Sequence, residues 1–128
     1  MSIIAAILLA QAGAAAIDCA NAMTQTDMNI CAGQDFVEAD AELNAQWSIT
    51  AASMRRRDAD TTYSDDGRAP YFEVLLAAQR AWLTFRDAHC ISEGYEARGG
   101  SMEPMLVAGC RAALTRERTQ QLRDLIEP

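Results

Sequence analysis

The chain of 128 residues holds 18 acids and 11 bases, for a net charge of −7, with 50 % apolar and 23 % charged residues. One small acidic domain with enough apolar surface for a core fits those figures; a multidomain machine and a disordered chain do not. The negative balance excludes the clustered positive surface on which nucleic-acid affinity depends, disfavours anionic membranes, and makes a cationic partner the electrostatic complement.

Residues 2 to 16 read SIIAAILLAQAGAAA, an apolar run that ends in small residues. This is the core and cleavage pattern of an export signal, and cleavage after Ala16 leaves a single domain of residues 17–128. No Lys or Arg precedes the run, so either the true start lies elsewhere or the amino terminus alone supplies the positive charge such signals carry. Gln11 and Gly13 interrupt the stretch, which is at the short limit for a membrane span. Asp18 stands before Cys19, where lipid attachment requires a small residue, so no stable membrane insertion is expected after cleavage.

Cys19, Cys31, Cys90 and Cys110 form an even set in a short exported chain, the setting for structural disulfides. Three pairings are possible. The sequential one, Cys19 to Cys31 and Cys90 to Cys110, is preferred because each pair closes a short loop that helix geometry can bring together. In the chain-entropy picture each such link contributes about 3 kcal/mol. With no C-x-x-C and only His89 as imidazole, a zinc site is not expected.

From Thr24 to about Arg57, apolar or small residues recur at Met28, Ala32, Phe36, Ala39, Leu43, Trp47, Thr50 and Met54, steps of 3 and 4 that predict a helix. Thr24 with Asp27 resembles a capping box, and Arg55, Arg56 and Arg57 suit the carboxyl end of the dipole. About 33 residues is long for a helix in so small a domain, so a kink or early fraying is expected. The polar run 58–69 forms the first connection, and Pro70 opens a second helix with the stripe Phe72, Leu75, Leu76, Gln79, Trp82, Leu83, Arg86 and Cys90. Glycines at 94, 99 and 100 mark a break over 91–103. Pro104 then opens a third helix with the stripe Met105, Leu106, Cys110, Ala113, Leu114, Arg118, Leu122 and Leu125. The expected fold is therefore all-α, a small antiparallel three-helix bundle stapled by two disulfides.

Charge is uneven on this plan. Residues 17–54 hold Asp18, Asp27, Asp35, Glu38, Asp40 and Glu42 and no base, for −6, while 55–128 hold 12 acids and 11 Arg, for −1. Such a face either serves solubility or docks a basic protein, and Asp35, Glu38 and Glu42 are the candidate docking residues. Polar residues also interrupt the apolar stripes: Gln79, Arg86 and Arg118 lie in them, and Asp40 and Asn44 border the first. Buried charge needs acidic or carbonyl partners, and Asp40 and Asp87 are the obvious candidates for Arg86 and Arg118. This set forms either a brace that fixes helix register or a polar cleft that receives a ligand group.

Several segments together carry a resemblance. Cys19, Thr24-Gln25-x-x-Met28-Asn29-x-Cys31-Ala32 and Ala39-Asp40-x-x-Leu43-Asn44 come first. Gln79-Arg80-Ala81-Trp82-x-x-Phe85-Arg86-Asp87-Ala88-x-Cys90, Gly99-Gly100-Ser101-Met102 and Cys110-x-x-x-Leu114-Thr115-x-x-Arg118-Thr119-x-x-Leu122 follow in order. The chain resembles the small exported LprI-type lysozyme-inhibitor family over nearly its whole mature length. The resemblance implies a helical, disulfide-bearing envelope domain and, for some members, inhibition of lysozyme.

Two functional classes follow. The first is a periplasmic or secreted, non-enzymatic protein that docks its acidic first helix on a basic lysozyme, with Arg98 in the loop Arg98-Gly99-Gly100-Ser101 able to reach the glycan cleft. The second is an envelope structural or interaction module with another partner. An enzyme is not expected: all 11 bases are Arg, no Ser-His-acid set is evident, and a disulfide-bonded Cys90 beside His89 is no nucleophile. No cofactor is expected either, since Met102 and Met105 with His89 offer soft donors for Cu(I) but no further Met or His cluster accompanies them.

Overall fold

A computed structural model describes residues 17–60 and 66–127 of the chain, and the expected export signal lies outside the described residues. After a short 3-10 turn at Cys19–Asn21, three helices follow: α1 (Gln25–Ala59), α2 (Tyr71–Gly94) and α3 (Glu103–Asp124), with a 3-10 turn at Tyr95–Ala97 between the last two. The cysteines pair sequentially, Cys19 with Cys31 and Cys90 with Cys110, at Cα separations of 5.6 and 5.4 Å. Consecutive helices run antiparallel: Tyr71 of α2 meets Asp58 of α1 and Arg86 meets Asp40, while Gln79 of α2 meets Arg118 of α3 and Cys90 meets Cys110. The first and third run parallel, because Gln25 meets Met105 and Thr50 meets Leu122.

The helix ends follow from local chemistry. The Thr24 hydroxyl accepts the Asp27 N–H at 3.1 Å, which satisfies one orphan donor of α1. The expected early fraying of α1 does not occur; the helix stays unbroken for 35 residues. Its last turn is held against α2, where the Arg55 guanidinium lies 4.1 Å from the centroid of the Phe72 ring. Asp58, in the same turn, accepts the N–H groups of Tyr71 at 2.6 Å and Phe72 at 3.0 Å. One carboxylate thus caps a helix whose own N-cap residue, Pro70, has no side-chain hydrogen bond to offer.

The break expected from residue 91 begins later, since α2 continues through Gly94. This glycine serves close packing. A Cβ built there would stand 2.5 Å from Cγ2 of Val107 on α3. Gly99, with φ of 79°, makes the turn into α3.

Leu43, Met54, Leu75 and Leu122 form the apolar centre, with Trp47, Phe72 and Trp82 packed against it. The α1 stripe points inward as expected, but the buried face of α3 is rotated from the expected one. Ala112, Thr115 and Thr119 are buried with Cys110 and Leu122, whereas Ala113 and Leu125 are exposed. Leu83 on α2 is exposed too, at 37 %. Threonine tolerates the core because its hydroxyl bonds a backbone carbonyl: Thr119 to that of Thr115 and Thr50 of α1 to that of Leu122, each at 2.9 Å. These side chains and the buried alanines are small, which suits the extensive α1–α3 contact.

Candidate functional site

Two groups of polar side chains stand out, one between the helices and one on the outside of α1. The inner group centres on Arg86, whose residue is 7 % exposed. Its Nε donates to Asp87 Oδ1 at 3.0 Å, and its Nη1 donates to the Thr115 hydroxyl of α3 at 3.3 Å and lies 3.6 Å from Asp40 of α1. The rings of Phe36 and Trp82 flank the guanidinium at 5.1 and 5.2 Å. One cation therefore touches all three helices. Arg111 of α3 adds a 3.5 Å contact to the same Asp87 carboxylate.

Arg118 follows another course. Its Nε donates to the Gln79 amide oxygen at 2.9 Å and its Nη1 to Gln121 at 3.1 Å, so amide oxygens rather than Asp40 or Asp87 receive it. Burial without a carboxylate partner pushes its pKa down. Asp40, Asn44 and Gln79 line, with Trp47 and Leu83, a shallow cleft of about 310 Å³ between α1 and α2.

The six acids of the first helical region divide by environment. Asp18 accepts the Ala20 N–H at 3.1 Å and the Asn21 amide at 2.7 Å, which caps the first 3-10 turn. Asp27 is half-buried at the α1 amino end, and Asp40 faces Arg86. Asp35 receives both amino groups of Arg116 on α3, at 2.6 and 3.0 Å. The bidentate hydrogen bond holds the Asp35 carboxyl below its ordinary range and raises Arg116. Glu38 and Glu42 are exposed on the same helix, near enough to Arg116 for their charge to raise its pKa further.

At the other end of α3, Arg98 is exposed and its guanidinium lies 4.6 Å from the centroid of the Tyr95 ring. The loop that carries it is tied to α1, because the Asn29 amide donates to the Ser101 carbonyl at 2.9 Å and the Gln25 amide to the Asn29 side chain at 2.8 Å. Segments 72 residues apart in the chain thus meet at one end of the bundle.

His89, Glu93 and Cys110 lie within 4.8 Å of one another, but the Cys110 sulfur is bonded to Cys90 and offers no thiolate. What remains is an exposed His89–Glu93 pair one helical turn apart, at 3.8 Å. Sequence reasoning missed Thr115, Arg111 and Arg116. Arg116 had no signal: a partner on another helix cannot be read from spacing along its own.

A family described as lysozyme inhibitor LprI matches residues 17–122. An uncharacterized protein of Rhizobium meliloti (strain 1021) is 51 % identical over 110 residues, which cover 86 % of this chain and 79 % of that protein. No solved structure matches.

Proposed function

The chain belongs to the LprI lysozyme inhibitor family, and from that premise we propose that it is an exported, non-enzymatic protein that binds and inhibits a basic lysozyme. The observation that carries this reading is the family match over residues 17–122, which takes in all three helices and both disulfides. Export is supported by the disulfides, which persist in oxidising compartments, and by a match that begins at the residue after the expected cleavage point. The protein then works in the periplasm or the medium.

The exposed carboxylates Glu38 and Glu42 give α1 its attraction for a cationic surface. Such charges act mainly on the association rate and lose strength with salt. Asp35, already clasped by Arg116, contributes less to a partner than its charge suggests. Inhibition follows if a side chain obstructs the glycan cleft, where the carboxylates of lysozyme work. Arg98, exposed on a turn, has the charge to meet them. Asp40, Asn44, Gln79, Arg86, Asp87 and Arg118 then act as the brace that fixes the helices carrying these groups.

The test is lysozyme hydrolysis titrated with the protein at low and at several-fold higher salt. Inhibition is expected at low salt and weakens as salt rises; Glu38→Gln with Glu42→Gln weakens it several-fold through slower association. Several lysozymes left fully active at low salt would sink the reading.

A further inference from the structure

Val74, Ala78, Ala81, Phe85 and Ala88 follow one another along α2 at steps of 4, 3, 4 and 3. All five are exposed, Val74 at 56 % and Phe85 at 55 %. The spacing is that of a coiled-coil seam. It is turned away from Gln79, Arg86 and Cys90, which are buried in the bundle, by roughly a third of a turn or more around the helix. No charged residue interrupts it. Beside its first turns, toward α3, lies a mainly apolar groove of about 730 Å³, lined by Val74, Ala78 and Leu125 among others and bordered by two acids and two bases, Asp58, Asp66, Arg68 and Arg118.

We propose that a second copy of this chain occupies this face, with α2 packed antiparallel on α2 and Phe85 of each copy seated in the groove of the other. A two-fold axis between Ala78 and Ala81 brings these small residues together, which lets the two backbones approach closely. The same axis sets Phe85 of one copy level with Val74 of the other, at the mouth of the groove. In such a pair like flanks of the two helices meet, and Phe85 lies on the same flank of the seam as the groove. Each copy thus supplies one plug and one socket, as an isologous contact requires.

Two further arguments favour a second copy over another protein. First, a seam without charge is the face on which two chains of net charge −7 approach with least repulsion, whereas a basic partner is drawn to the carboxylates of α1. Second, the area is suited to a weak pair: four helical turns with two grooves bury roughly 500 Å² per copy, against about 800 Å² in a standard stable interface. The dimer is therefore concentration-dependent, and salt, which screens the repulsion, strengthens it. That dependence is opposite in sign to the one proposed for lysozyme docking, so the two readings fail separately.

Sedimentation equilibrium of the protein up to about 1 mM, at low and high salt, tests the assignment. A monomer–dimer equilibrium that tightens with salt is expected, with Kd on the order of 100 µM. Phe85→Glu and, separately, Ala81→Glu raise Kd at least tenfold, while unchanged thermal unfolding shows that the exposed substitutions leave the fold intact. A protein that stays monomeric at the highest concentration and salt overturns the proposal, as does a Phe85→Glu variant that dimerises like the parent. If the parent is monomeric and Phe85→Glu instead loses lysozyme inhibition, the face takes a different protein and the second copy is wrong.

Discussion

Replacing Arg86 with Ala removes the one cation that touches all three helices, and the cost is worked from its contacts. The two ring contacts, to Phe36 and Trp82, contribute about 0.5–1 kcal/mol each. The buried hydrogen bond to Thr115 adds about 1 kcal/mol. Asp40 and Asp87 are 42 % and 49 % exposed at their side chains, so water screens their ion pairs to about 0.5–1 kcal/mol together. The void left by the arginine stem costs a further 1–2 kcal/mol or about that. The sum is about 3.5 to 6 kcal/mol, and no stranded-charge penalty enlarges it, because both carboxylates can hydrate. Arg86→Met refills the stem volume and forfeits only the ring, hydrogen-bond and ion-pair contacts of the guanidinium, so it costs about 2.5 to 4 kcal/mol. Urea unfolding with an unchanged m-value measures both. An unfolding free energy within about 1 kcal/mol of the parent for Arg86→Ala, or equal damage from the two variants, would refute this division between packing and polarity.

Other positions give sharper local tests. Gly94→Ala places a methyl 2.5 Å from Val107 Cγ2 and is expected to lower stability by about 1–3 kcal/mol; Val107→Ala in the same chain should recover part of that loss, which a double-mutant cycle reads directly. Asp58→Ala removes the carboxylate that caps α2 across the first connection; a loss of about 1–2 kcal/mol in urea unfolding is expected, with Asp58→Asn in between. The Asp35 pKa lies below its unfolded value because of Arg116, so its stabilisation is present above the unfolded pKa and disappears as pH falls through the folded one. The pair is half-exposed, which limits the effect to under about 1 kcal/mol. Stability profiles of the parent and Asp35→Asn should therefore differ at neutral pH and converge in acid; a constant offset at all pH values would contradict the assignment.

The three helices, their approximate ends, the sequential disulfides and the family were legible in the chain itself. Each depends on local information: stripes at 3 and 4 spacing, Thr24 and Pro104 at helix starts, and cysteines close enough in sequence for short loops. The same reading stumbled on α3. Hydropathy directs Leu114 and Leu125 inward, but Thr115 and Thr119 occupy the core, because a hydroxyl bonded to a backbone carbonyl loses little on burial and a small side chain admits α1. The run from residue 91 likewise reads as a break, and only the presence of Val107 shows that Gly94 makes room for a neighbour.

Among the site residues, Asp40, Gln79, Arg86 and Arg118 were visible as polar intrusions in apolar stripes, since periodicity alone exposes them. Of their partners, Asp40 and Asp87 for Arg86 were anticipated too, but the others were not. Thr115 for Arg86, Gln79 for Arg118, Arg116 for Asp35 and Asp58 for the α2 amino end are all choices made between helices. Periodicity shows which face of a helix turns inward, but the axial offset between helices decides which side chains meet there. That offset is set by packing and, between α2 and α3, by the Cys90–Cys110 disulfide, and so it was decided only in the tertiary structure.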